Sequence, residues 1–280
     1  MLNNKPAANK NLQIILVVLI FTLLTAVLSN ILPPAVDWHG GFRPAALAIL
    51  RGDSPYNTPG FAFPPWTCLL LLPFAIFPEE IGRALLFIAY LFGVAYTTYK
   101  LSGNKVATIL ILCSPPVMHG LLNGNIDGLV VLGFVLPPWL GLFLLVIKPQ
   151  LTFAYIIYLF VATFKKEKIS GAIKVYAPVV AAYILSIIFF GFWPYKFLAT
   201  INSSFNASLW PLSLPIGFVL LTAALRKDEA QYSIMASPFM SPYVLLHSWV
   251  VAFIPLATSS YATAAAVIGM WIVFFLRYVS

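Results

Sequence analysis

Residues Leu12 to Leu32 form one apolar run, broken only by Gln13, Asn30 and a few hydroxyl side chains. A bilayer core of about 30 Å is crossed by roughly 20 apolar residues in a helix, so this run alone is long enough for a span. No small-x-small cleavage site closes it and further apolar segments follow, which reads as a first span and not as a signal peptide. The later runs are Trp66 to Phe77, Ala84 to Tyr99, Val106 to Met118, Ile126 to Ile147, Leu151 to Phe164, Ala172 to Phe192, Leu212 to Leu225, Tyr243 to Ala257 and Ala262 to Leu276. With 61% hydrophobic and 9% charged residues and a mean hydropathy of +0.94, one soluble core cannot hide so much apolar surface. The expected fold is an all-α integral membrane protein: a single transmembrane domain over residues 1–280 in the cell membrane, with membrane lipids as partners.

The net charge of +8 does not point to nucleic acid, because the basic residues sit as short clusters between apolar runs, where the positive-inside bias places them. Lys5 and Lys10 precede the first span, "KKEK" occupies 165–168, and Arg226-Lys227 follows a later run. All three read as cytoplasmic, which leaves residues 33–65 as an extracytoplasmic loop. Two topologies fit the middle of the chain. If "PP" at 137–138 kinks a single span, Lys100 and Lys105 fall outside, against the charge rule. If "PP" is a cytoplasmic turn, those lysines move inside and Trp66 to Phe77 must dip in and return. Broken helices of this kind are tolerated only when buried in protein or lining a wet cavity, so a cavity is expected. Cys68 and Cys113 lie in apolar runs without a CxxC pairing and read as buried small hydrophobes.

Residues 33–65 carry the first chemistry. Pro33-Pro34 end the first helix, which leaves Asp37 at the membrane surface, where partial desolvation raises a carboxyl toward the range of a general base; the plain alternative is a solvated loop acid beside an interfacial Trp38. In "FRPAALAIL", Phe42, Ala45, Ala46, Ile49 and Leu50 recur at helical spacing with Arg43 and Arg51 toward the polar side, predicting a short interfacial helix. Arg43 and Arg51 are planar donors suited to phosphate or headgroups, although Arg51 with Asp53 reads equally as a surface pair. "GDSPYNTPG" is a turn, "FAFPP" opens the next apolar segment, and Glu79-Glu80 open another helix. "GFWPYKF" at 191–197 reads as an interfacial aromatic belt, and "NSSFNAS" at 202–208 as a polar outer loop over the site.

Two ionisable residues lie inside apolar sequence. Lys148 is flanked by apolar runs, and an embedded lysine costs about 2.5–3.5 kcal/mol unless it finds a partner or wet cavity; a phosphate is such a partner, and snorkelling to the interface is the alternative. Asp127, with Asn123 and Asn125, suits sugar hydroxyls, or serves as a helix N-cap. His39, His119 and His247 can face one outer cavity, but no His-x-x-x-His or His-Glu pair sits on one helix, so no metal is expected.

The ordered set resembles a known family. Asp37 after the first span, an interfacial helix, "GDSPY", then "FAFPP" leading into "LLLLPFAIFP" is similar to the first outer loop of the polyprenol-phosphate-mannose-dependent mannosyltransferases among the GT-C glycosyltransferases. "NGNID" at 123–127 is similar to that family's Gly-Gln-x-Asn element, "IKPQ" at 147–150 to its Lys-Pro element, and "SPFMSPYVLLH" to its Ser-Pro motif with a following histidine. The match in order covers about Leu12 to Ala257. It departs from the family in having Asp127 where an amide is usual, in its shorter length, and in "PP" replacing a longer basic loop.

The resemblance implies a multi-pass GT-C helical bundle that moves a sugar, mannose by family, from a polyprenyl-phosphate donor to a lipid-linked or glycan acceptor hydroxyl on the extracytoplasmic face, with inversion and no cofactor. It implies Asp37 as catalytic base, Lys148, Arg43 and His247 at the donor phosphate, and Asn123, Asn125, Asp127, Tyr56 and His119 at the sugar and acceptor. For His247 a hydrogen-bonded structural role is the alternative. A lipid or polyprenyl-phosphate-sugar transporter or flippase is the competing class, since it shares broken helices and embedded charges, but no inverted repeat is evident. A scaffold subunit would not need Lys148 or Asp127, and Gly-x-Ser-x-Gly, a Ser-Lys dyad and His-Glu-x-x-His are missing.

Overall fold

The computed structural model of the chain describes residues 10–200 and 204–278. It is helical, with no strand among the described residues. Helix α1 (Lys10–Ile31) ends where Pro33-Pro34 withdraw backbone donors, and a five-residue π-helical turn, Trp38–Phe42, leads into α2 (Arg43–Leu50). α3 (Trp66–Ala75) begins after Pro64-Pro65, and α4 (Glu79–Ser102) begins at the acidic pair, as expected. α5 (Lys105–Leu112) and α6 (Pro115–Asn123) meet at a 53° bend, where Pro115-Pro116 forbid a continuous helix. A short α7 (Asp127–Val130) runs into the 3-10 turn Val131–Phe134, and α8 (Pro138–Leu145) follows. Then come α9 (Pro149–Phe190), α10 (Leu214–Lys227), α11 (Ala230–Met240), α12 (Val250–Phe253) within the apolar stretch Leu246–Thr258, and α13 (Ser260–Tyr278).

Four of these helices, α1, α4, α9 and α13, are long and apolar enough to cross a membrane, or five spans if the bent α5–α6 pair counts as one. α1 exposes Leu16, Leu19 and Leu23 at 56–66% of their surface, an apolar face compatible with a lipid surrounding. α9 is 42 residues long, about 63 Å if straight, but it breaks at Lys168, whose φ of +59° is non-helical. Its halves fold back on each other: Tyr176 Oη donates to the Ile156 carbonyl at 2.6 Å, and beyond it Tyr183 Oη reaches the Val146 carbonyl, just before α9, at 3.2 Å.

The proline pair at 137–138 is a turn. Gly133 and Gly141 pack so tightly across it that a Cβ on Gly133 would lie 2.7 Å from the Gly141 carbonyl oxygen, which a kinked single helix cannot produce. Residues 127–145 therefore form a hairpin, and Val131, midway along its first arm, accepts from Thr97 Oγ1 at 3.2 Å, in the C-terminal part of α4. α3 lies beside α2, and Arg43 Nη2 reaches the Phe77 carbonyl at 3.2 Å, so both ends of Trp66 to Phe77 stay at the end of the molecule that carries residues 33–65.

All the described basic clusters then share one end. Arg83 near the start of α4 donates to the Pro33 carbonyl at 2.6 Å, so α1 and α4 run antiparallel and Lys100 lies remote from residues 33–65. Asn104 bonds Ser260 at 2.9 Å, Leu101 and Ser102 line a cavity with Glu229 and Gln231, and Lys165 Nζ reaches the Leu225 carbonyl at 3.3 Å. Lys100, Lys105, the 165–168 cluster and Arg226-Lys227 thus lie opposite the Asp37 end. Lys5 lies outside the described residues, as do Asn202 and Ser203 of the outer loop.

Several sequence expectations need correction. α2 forms where predicted, and Phe42, Ala45, Ala46 and Ile49 of the expected apolar face turn to the core, but Leu50, at its last turn, is 56% exposed. Trp193 is no belt residue: it is buried, stacks on Tyr56 at 5.6 Å and 9°, and donates to Ser186 Oγ at 3.0 Å. Cys113 is exposed at the α5–α6 bend, where its carbonyl accepts from Trp271.

Candidate active site

The site is built where the end of α6 presses on the loop after α1. Gly124 closes α6 with φ +65°, and a Cβ there would lie 2.6 Å from Trp38 Cβ and 2.9 Å from Ala35 Cβ, so only glycine permits both the backbone turn and this approach. The approach sets Asn125 against Asp37. Asn125 Nδ2 donates to Asp37 Oδ2 at 2.6 Å, while its Oδ1 accepts from Lys148 Nζ at 2.6 Å and from the amides of Ile126 at 2.7 Å and Asp127 at 3.2 Å. An amide suits this position because the neighbours demand a donor on one side and an acceptor on the other.

Asp127 and Lys148 stand at the two feet of the hairpin, and both are buried. Lys148 Nζ pairs with Asp127 Oδ1. Asp127 Oδ2 accepts from Ser248 Oγ at 3.0 Å and lies 3.7 Å from His247 Nε2. His247 Nδ1 is 3.2 Å from His119 Nδ1, and Asn123 Nδ2 donates to the His119 carbonyl at 2.8 Å. One polar chain therefore links Asp37, Asn125, Lys148, Asp127, His247, His119 and Asn123.

Asp37 sits between two cavities. One, of about 340 Å³, is lined by Phe42, Phe61, Phe63, Lys148 and Gln150 as well as Asp37 and Asn125. The other, of about 350 Å³, is lined by His119, Asn123, Phe205, Tyr243 and His247 as well as Asp37. Within the first, Lys148 donates to Asn125 Oδ1 and is ion-paired with Asp127 Oδ1, and Phe63 covers it at 5.9 Å. Asp37 itself is half-buried. Its loss of hydration pushes its carboxyl above the ordinary value of 3.8, and neither the Asn125 hydrogen bond nor the charge of Lys148 fully offsets this.

No family model, curated protein or solved structure matches the chain. The assignment of residues therefore rests on geometry. Asp37, Asn125 and Lys148 line the first cavity, and Asp37, His119, Asn123 and His247 the second; His247, expected beside Lys148 at the donor phosphate, instead lines the other cavity and reaches Lys148 only through Asp127. Asp127 is fully buried behind Lys148 and lines neither cavity. It is no N-cap either, since the amides at the start of α7 go to Asn125. Its place is that of a hub holding Lys148 and His247.

Arg43 and Tyr56 lie outside the site. Arg43 turns to the Phe77 carbonyl and lines neither cavity, because its α2 position faces α3. Tyr56 donates to the Phe63 carbonyl at 2.9 Å and is held in the aromatic stack on Trp193. His39 pairs with Glu79 Oε1 at 2.6 Å on the exposed surface. Sequence reasoning missed Ser248, Gln150 and Tyr243. Gln150 and Tyr243 lay within the quoted "IKPQ" and "SPY" motifs, whereas nothing local marked Ser248.

Proposed function

We propose that the protein is a membrane glycosyltransferase of GT-C type, which moves a hexose from a polyprenyl phosphate to an acceptor hydroxyl with inversion. The observation that carries this is the position of Asp37, a carboxylate of raised basicity between two cavities, one of which holds a buried cation. Inverting transfer needs that arrangement, with a base on the acceptor side of the anomeric carbon and a stabiliser for the departing anion on the other.

In this reading Asp37 takes the proton of the acceptor hydroxyl as its oxygen bonds to the anomeric carbon. The bond from that carbon to the phosphate oxygen breaks, and its electron pair leaves on the phosphate. Lys148, whose ammonium has N–H donors beyond the one it gives Asn125, meets the charge that develops there. Asn125 ties the two events together by fixing Asp37 and Lys148 through one amide. Phe42, Phe61 and Phe63 give the donor cavity an apolar wall suited to the first isoprene units. Mannose as the sugar, and a lipid-linked or glycan acceptor, follow from the motif resemblance alone. Lys100, Lys105, the 165–168 cluster and Arg226-Lys227, all opposite this end, support an extracytoplasmic site by the positive-inside bias.

The test is incubation of the purified protein in lipid with radiolabelled polyprenyl-phosphate sugars and candidate acceptors. Label appearing in a new glycoconjugate is expected. Label that crosses the bilayer on an unchanged donor would instead make the protein a carrier and end this reading.

A further inference from the structure

His119 and His247 meet nitrogen to nitrogen. Their Nδ1 atoms are 3.2 Å apart, their ring centroids 5.3 Å apart, and their planes only 23° from parallel. The rings thus meet edge to edge, nearly in one plane, as an N–H···N bond requires. Two hydrogens or two lone pairs at that distance would repel, so one Nδ1 donates and the other accepts.

The far edge of His247 decides which. Its Nε2 is buried without a hydrogen-bond partner and faces Asp127 Oδ2 at 3.7 Å. A lone pair there would confront an anion in a medium of low dielectric, whereas an N–H is drawn to it. Asp127 is already matched by Lys148, so nothing calls for a second cation beside it, and His247 is the neutral Nε2–H form. Its Nδ1 then accepts, and His119 Nδ1 donates. Asn123 Nδ2 lies 3.4 Å from that nitrogen, at the long limit for a hydrogen bond, and its shorter bond goes to the His119 carbonyl at 2.8 Å. His119 Nε2 is left with a lone pair in a half-buried ring that lines the second cavity.

We infer that the second cavity seats the acceptor and takes an uncharged, hydroxyl-bearing head group, one hydroxyl donating to His119 Nε2 while another addresses Asp37. This rests on the transferase reading above. The lining supports it: His119, Asn123 and Asp37 accept or donate hydrogen bonds, Phe205 and Tyr243 offer faces for a sugar ring, and among the described residues no Lys or Arg lines this cavity. Anionic phosphate therefore belongs with Lys148 in the first. His119 is the specificity-determining contact, and His247 and Asp127 position it by fixing its tautomer.

The protein has three histidines, so ¹⁵N-histidine labelling in lipid nanodiscs resolves each ring by two-bond nitrogen–proton correlation. At neutral pH, His247 is expected as the Nε2–H form and His119 as the Nδ1–H form. Methyl α-mannoside, the neutral probe, should shift His119 Nε2 saturably, and undecaprenyl phosphate, the anionic probe, should leave it in place. His247→Phe keeps a ring but removes the acceptor. It should release His119 into mixed tautomers and raise the glycoside midpoint roughly tenfold. His119 found as the Nε2–H form or as imidazolium, a His119 response to the lipid phosphate equal to that for the glycoside, or no response to the glycoside would each overturn the assignment. If the tautomers hold but transfer proves independent of Asp37, the reaction fails and the ring assignment stands. If transfer needs Asp37 but His119 ignores the glycoside, the acceptor seat alone fails.

Discussion

Asp127 and Lys148 pair across the neck of a hairpin, one at each foot, so a single buried ion pair closes the loop of chain that carries both. Removing one partner strands the other charge in an apolar interior, at a cost of ~3–5 kcal/mol. Lys148→Met and Asp127→Leu are each expected to lower the unfolding temperature in detergent sharply. The double variant should recover most of that loss, since hydrophobic replacement of a whole buried pair is often neutral, and should remain inactive because the donor cavity has lost its cation. Single variants as stable as the parent would show that the pair does not hold the hairpin.

Asp37→Asn separates chemistry from folding. Asn125 can still donate to the new amide oxygen, so the loop keeps its anchor, but the base is gone; transfer should fall by about 10²–10⁴-fold. The stability effect has the opposite sign. A carboxyl whose folded-state value is raised binds its proton more tightly when folded. Its favourable contribution is complete below the unfolded value and disappears as pH rises through the folded one. At neutral pH the ionised Asp37 is therefore a cost, and Asp37→Asn should unfold at the same temperature as the parent or higher. A variant that is both inactive and clearly less stable would point to a structural role.

Asn125→Asp tests the amide bridge through pH. The change removes the hydrogen-bond donor to Asp37 and sets a second anion beside it, and both effects raise the Asp37 value further. Because the base acts only when ionised, the acidic limb of the rate profile should move to higher pH, with the plateau reached later. An unshifted limb would mean that the limb does not report Asp37.

The polar residues of the site were legible because each is out of place in apolar sequence: Lys148 and Asp127 stand out by cost alone, and Asp37 by following a span. Their partners were not legible. Asn125 meets Asp37 across 88 residues and Ser248 meets Asp127 across 121, and no local periodicity encodes such pairings. The same gap explains the misplacement of Arg43 and Tyr56. Both lie in suggestive motifs, but a bond to the Phe77 carbonyl and an aromatic stack decide where they point. The topology turned on "PP", where composition allows a kink or a turn and only the glycines at 133 and 141 distinguish them, by how closely they let the two arms approach.

Gly93 shows how far from the ligand the site can be broken. It faces Gly128, one residue after Asp127, so closely that a Cβ on Gly93 would overlap the Gly128 carbonyl. Tyr90 fills the adjacent space, and a Cβ on Gly128 would lie 2.6 Å from its Cγ. α4 and the hairpin foot are thus in backbone contact, and neither can yield without moving Asp127. Gly93→Ala is expected to displace the foot, since overpacking a close contact costs ~1–3 kcal/mol, and so to weaken the Lys148–Asp127 pair without touching either cavity. Gly269, on the exposed side of α13, has open space for 4 Å around the position a Cβ would take, and Gly269→Ala is the control. It should keep activity and gain up to ~1 kcal/mol from helix propensity. Measured together, the two variants should differ in transfer rate by far more than in expression; equal rates would mean that the α4 contact does not set the geometry of the hairpin.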